Sequence, residues 1–162
     1  MTPTVVAAML ACLFLALVGS TLPLGPMYAN LHPDYVALLV LYWAITSDNG
    51  AGYLPVWAIG LLQDFVVGDM PGAQAIALVL MVFVLYTGIS RVKKFSSWEQ
   101  LLFIFALLLL EQLAAWLWQG WSGVLPQWHL SLLVAPALGT ALWPLLTFAL
   151  DHLYQYFHRP RT

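Results

Sequence analysis

Apolar residues in this chain run in blocks, not in stripes. Val5–Leu24, Pro33–Thr46, Gly52–Val67, Gly72–Ser90, Trp98–Trp118 and Ser131–Phe157 are nearly free of charge. Turn-rich clusters such as Leu22-Pro-Leu-Gly-Pro26 and Ser47-Asp-Asn-Gly-Ala-Gly52 separate them. A helix that is apolar on every face belongs in lipid or in a protein core. A hydrocarbon layer of about 30 Å takes about 20 helical residues, so the blocks predict about six membrane crossings joined by short connections. The second and third blocks are shorter than a full crossing. Fusing them into a re-entrant hairpin gives five or fewer, but the Ser47-Asp48-Asn49-Gly50 turn favours separate spans and a count of six.

Composition sharpens the picture. With 62% hydrophobic, 14% aromatic and 7% charged residues, five Lys or Arg and seven Asp or Glu cannot cover a water-facing surface on 162 residues. A soluble globular enzyme, a disordered tail and a basic nucleic-acid module are thereby excluded. The expected fold is an all-α polytopic membrane bundle, a single integral membrane domain over 1–162 with no soluble domain. Its one cysteine, Cys12, allows no internal disulfide. The start of the chain lacks a basic segment and its apolar run continues to Leu24, which predicts a retained helix and not a cleaved signal peptide.

The net charge of −2 matters less than where the charges fall. Arg91, Lys93 and Lys94 follow the fourth block, and Arg159 and Arg161 follow the sixth. The positive-inside rule makes that side cytoplasmic, with both termini there and loops at 25–32, 68–71 and 119–130 outside. Trp98 at the inner end of the fifth block and Trp116, Trp118, Trp121 and Trp128 around its outer end suit interfacial belts. The 119–130 loop, with Gly123 and Pro126, is expected to lie along the outer headgroup boundary.

The most specific local pattern is Gly60-Leu-Leu-Gln-Asp64-Phe-Val-Val-Gly68-Asp-Met-Pro-Gly72. On a helix Gly60, Asp64 and Gly68 share one face, where small residues let two backbones approach and the carboxylate points into protein. Gly72, after Pro71, belongs to the turn into the next span. One reading makes this an intramembrane packing strip with Asp64 hydrogen-bonded or protonated; another gives Asp64 a proton- or substrate-linked role. Glu111, followed by Gln112, is the second deep ionisable group. Counting about 1.5 Å per residue from the inner ends places Asp64 roughly 18 Å and Glu111 roughly 20 Å up their helices. Facing carboxyls at one depth would share a proton; separate carboxyls would each bond to backbone or Gln side chains.

Ala8, Cys12, Ala16 and Ser20 form a small-residue ridge on the first span, suited to packing within the bundle or against another protein's helix. Pro136, Gly139 and Pro144 predict bends in the sixth. His32, His129, His152 and His158 lie near span ends without ligand spacing, so no metal site is expected. No phosphate-binding loop, dinucleotide fingerprint, nucleophile elbow or His-Glu-x-x-His sequence is present, so neither catalysis nor a cofactor is expected. Asp34, Asp48, Asp69 and Glu99 fall at span boundaries, where solvation or helix N-terminal stabilisation accounts for them.

The frame Gly60-x-x-x-Asp64-x-x-x-Gly68-x-x-x-Gly72 resembles the MreD family of the bacterial rod-shape elongation machinery. So do Pro33 leading into Leu38-Leu-Val-Leu-Tyr-Trp43, and Leu142-Trp143-Pro144 near the other end. The resemblance covers about residues 30–150 in matching order and implies a non-catalytic protein of the bacterial cytoplasmic (inner) membrane. It further implies binding to MreC and coupling of MreB filaments to RodA and a class B penicillin-binding protein. It also implies a fold similar to the six-helix substrate-binding subunits of energy-coupling-factor vitamin transporters. Gly60, Asp64, Gly68, Gly72, Trp143 and Pro144 carry the family's motifs, with Glu111, Ala8 and Ala16 as further packing or partner-contact candidates. The competing class is a small-molecule or lipid-binding transport subunit with Asp64 and Glu111 lining a cavity.

Overall fold

The computed structural model describes residues 3–21, 33–47, 50–68, 70–92, 94–121 and 131–158, without the side chains of 3–8, 21, 91, 131 and 154–158. They form six helices: α1 (Pro3–Thr21), α2 (Tyr35–Thr46), α3 (Tyr53–Val67), α4 (Ala73–Val92), α5 (Ser97–Trp121) and α6 (Ser131–His158). The six apolar blocks thus become six helices, but of two kinds. Stretches of α4, α5 and α6, namely Ala73–Ser90, Ser97–Trp121 and Leu132–Leu153, are long and apolar enough to cross a membrane. The 12 residues of α2 and 15 of α3 rise only about 18 Å and about 22 Å. The chain is a multi-pass membrane protein with three long apolar spans among the described residues and with α2 and α3 shorter than a full crossing.

The shortest of these helices is at the centre. Val36, Ala37, Leu38, Val40, Leu41, Tyr42 and Ala44 of α2 are all buried. Around them lie Leu17 of α1, Val56 and Ile59 of α3, Leu78, Met81, Val82 and Leu85 of α4, Ile104, Leu107 and Leu108 of α5, and Trp143 of α6. Such a helix needs no polar face, because it meets protein on every side. Phe14, Leu15, Leu54, Phe65, Phe83, Leu145 and Phe148 point outward. In lipid that exposure costs little, so the fit between helices, not water avoidance, holds the bundle together.

Pro136 and Pro144, where bends were expected, lie inside a continuous helix. Its Thr140 hydroxyl donates to the Pro136 carbonyl at 2.8 Å, and Thr147 to the carbonyls of Trp143 and Pro144 at 3.0 Å each. Gly139 admits α5: a Cβ there would sit 3.0 Å from Leu108 Cδ1 and 3.8 Å from Pro33 Cβ. Of the two motif residues in this helix, Trp143 is packed in the core and Pro144 faces outward.

Contacts define two ends. At the end bearing Lys94, Tyr42 donates its hydroxyl proton to Asp151 Oδ1 at 2.6 Å, and the Ala51 amide donates to Tyr86 Oη at 2.6 Å. Glu99 there closes the first turn of α5 by accepting from the Ser96 amide at 2.8 Å. At the opposite end a Cβ added to Gly72 would lie 3.9 Å from the Trp118 ring, and Gly19 of α1 faces Tyr35 of α2. The 122–130 part of the expected headgroup loop, Asp48, Asp69, His32, His129, Lys93, Arg159 and Arg161 lie outside the described residues, as do the side chains of Ala8, Arg91 and His158.

Candidate functional site

The glycine–aspartate frame is a helical hairpin, and each of its four residues has a separate task. Gly60 sits where α3 meets the start of α4. A Cβ there would lie 2.4 Å from Ala75 Cα and 2.7 Å from Ala75 N, a collision with backbone that no rotamer relieves. Four residues on, Asp64 is fully buried and reaches the same helix. Its Oδ2 accepts from the Gly72 amide at 2.7 Å and its Oδ1 from the Gln74 amide at 2.9 Å. The first amides of a helix have no partner within it, and in a membrane core no water replaces one. Asp64 supplies both acceptors and adds a negative charge at the positive end of the α4 dipole.

Gly68 corrects the expected strip. It lies beyond the end of α3, its φ of +81° is left-handed, its amide closes the helix onto the Asp64 carbonyl at 3.0 Å, and no atom lies within 4 Å of a Cβ placed there. Its glycine requirement is conformational and not one of packing, because the helix stops one residue short of carrying the face onward. Gly72, φ +95°, makes the turn into α4 as its position after Pro71 predicts. The small-residue groove at Gly60 is also not free for a partner: α4 of the same chain fills it. Ala16, on α1, is likewise partly buried against the core.

A second polar cluster lies at the same end, built on Asp34 and Gln63. Asp34 caps α2, accepting from the Val36 and Ala37 amides on Oδ1 at 2.9 Å each. Its Oδ2 takes a hydrogen bond from Gln63 Nε2 at 2.8 Å, which ties α2 to α3. Gln63 Oε1 is buried with no hydrogen-bond partner. Glu111 of α5 is buried and interacts electrostatically with Asp34. Asp64 turns both of its oxygens to α4 and makes no hydrogen bond to Glu111. The cap at Asp34 was legible in the Pro33-Asp34 step before an apolar run. Gln63 was not, although two adjacent polar residues on one helix, about 100° apart, need partners on different sides.

The described residues contain no group of three His, Cys, Asp or Glu arranged to hold a metal. The arrangement joins helices: Asp64 fixes α3 to α4, Asp34 fixes α2 to α3, and Tyr42 fixes α2 to α6.

The family model described as rod shape-determining protein MreD matches residues 1–157. No curated protein matches the chain, and no solved structure does.

Proposed function

Belonging as it does to the MreD family, the chain is a non-catalytic membrane protein associated with the cell-elongation machinery, and we propose that it acts there as a membrane scaffold that binds MreC. Through MreC it couples MreB filaments to RodA and a class B penicillin-binding protein in the bacterial cytoplasmic membrane. The observation that carries this reading is the use of Asp64. The one carboxylate inside the family's motif is fully buried and spent on holding a hairpin, with both oxygens occupied by backbone amides. A carboxylate that is fully buried and held by the backbone of the next helix suits a structural strut better than a group that meets substrate or ions.

The proposed orientation puts the Lys94 end, with both termini, in the cytoplasm. MreC is then proposed to meet the opposite edge around exposed Gly68, since the groove at Gly60 is filled from within. Photocrosslinkers at Ala8, Ala16, Gly60 and Gly68 in cells expressing MreC test this. Capture of MreC from Gly68 and none from Gly60 is the expected pattern, and no capture from any of the four removes the proposal. A transport role, by analogy with the vitamin-binding subunits of energy-coupling-factor transporters, instead requires a ligand retained in native mass spectrometry and an uptake defect on deletion with normal rod shape.

A further inference from the structure

All five Lys and Arg of the chain fall in two short stretches, Arg91–Lys94 and Arg159–Arg161. The first is the turn between two long spans. The apolar stretch Ala73–Ser90 of α4 rises about 27 Å, close to the thickness of the hydrocarbon layer, so Arg91 stands at the first level where phospholipid headgroups lie. The turn is tight. The Phe95 amide donates to the Val92 carbonyl at 3.2 Å, the Phe95 ring meets Phe103 of α5 edge-on with 5.9 Å between centroids, and α5 begins at Ser97. Lys94 is exposed, and no carboxylate among the described residues pairs with it. Glu99 is bonded to the Ser96 amide and Asp151 to Tyr42. A cation held at this depth without a counter-charge from the protein calls for an anion from outside it.

In the first turn of α5, Trp98 is 62% exposed and Leu102, four residues on, is 57% exposed; Ala106 continues the same outward face towards the middle of the span. An indole suits the border between headgroups and acyl chains, and an aliphatic stripe beyond it suits the chains themselves. A soluble anion would use the cations alone. A phospholipid uses charge, ring and stripe in the order in which they stand along the bilayer normal. We propose that the α4–α5 hairpin is a binding site for an anionic phospholipid of the surrounding leaflet. Arg91 and Lys94 supply positive charge at the level of its headgroup, Trp98 lies at its glycerol level and Leu102 along an acyl chain. A zwitterionic phospholipid carries its own cation beside the phosphate, so the site prefers a headgroup of net negative charge such as phosphatidylglycerol. Each Lys or Arg near an anionic headgroup layer contributes about fivefold in affinity, and the pair about 25-fold. The site lies at the end opposite to the Asp64 hairpin and does not depend on which partner that other edge receives.

Indole quenching tests the site on the full chain, reconstituted in phosphatidylcholine vesicles with a minor fraction of phospholipid brominated on its acyl chains. Brominated phosphatidylglycerol is expected to quench more strongly than brominated phosphatidylcholine at the same fraction. The excess is expected to disappear in Trp98→Phe, which leaves every charge in place. In the Arg91→Gln, Lys94→Gln double variant the phosphatidylglycerol fraction giving half of the excess is expected to rise about 25-fold. The Arg159→Gln, Arg161→Gln double variant, with the same loss of charge, is expected to keep the wild-type value. Equal quenching by the two brominated lipids in the wild type overturns the proposal. So does an excess that survives Trp98→Phe, or an equal loss from both double variants, which marks a diffuse attraction of lipid by the charged end as a whole. The wild-type and Trp98→Phe series decide the matter even if the double variants insert poorly.

Discussion

Replacing Asp64 by Asn keeps the shape of the side chain and tests what the carboxylate does. The two amides it serves sit on different oxygens, Gly72 on Oδ2 at 2.7 Å and Gln74 on Oδ1 at 2.9 Å. An asparagine has one oxygen, so whichever way it turns, its NH2 faces an N–H donor. One amide loses its partner in a buried place, at about 1–3 kcal/mol, and the remaining bond loses its charge assistance. The favourable charge at the α4 N-terminus, about 0.3–1 kcal/mol at exposed sites and up to about 2 when partly buried, disappears as well. These contributions overlap, and a loss of about 3 kcal/mol is expected, which is roughly 100-fold in the unfolding equilibrium. Dodecyl sulfate unfolding in mixed micelles reads this directly, and hydrogen exchange should show the Gly72 or Gln74 amide opening first. An Asp64→Asn chain that unfolds at the wild-type midpoint with both amides protected would refute the capping role and return Asp64 to proton or ligand chemistry.

Three further outcomes follow from the same geometry. Gly60→Ala drives a methyl into the Ala75 backbone and should cost at least the about 1–3 kcal/mol of core overpacking, whereas Gly68→Ala, in open space, should cost only the about 1–2 kcal/mol of a left-handed backbone; parallel unfolding curves rank them. Tyr42→Phe removes the hydroxyl bonded to Asp151 and should lower stability by about 1 kcal/mol without altering secondary structure by circular dichroism. Trp143→Ala, in the core, should cost about 3–5 kcal/mol, while Pro144→Ala, facing out, should be close to neutral or mildly stabilising by restoring a helical N–H.

How much of this was legible depended on whether a feature is local. Helix number and approximate ends follow from apolar block length, and the Gly60–Asp64 spacing pointed to a close helix contact, because four residues return to the same face. What spacing cannot reveal is which neighbour is met. Asp64 and Glu111 share a depth, which left a facing pair and two separate carboxyls both open; depth along an axis says nothing of azimuth, and Asp64 turns both oxygens to α4. Gly68 was assigned to a packing face because periodicity assumes an unbroken helix; a left-handed residue breaks the period where it stands. Gln63 stayed hidden because an amide among aliphatics carries no motif, and its role exists only once α2 is laid beside α3.

The brevity of α3 also reaches beyond the protein. Its outward face, carrying Leu54, Trp57, Leu62, Phe65 and Val66, spans about 22 Å of rise where an average hydrocarbon layer measures about 30 Å. Lipids along this flank must shorten to match, at a fraction of a kcal/mol for each ångström of mismatch. The flank where α3 lies is therefore a local pinch in the bilayer, and relief of that deformation draws towards it any neighbouring helix that is similarly short.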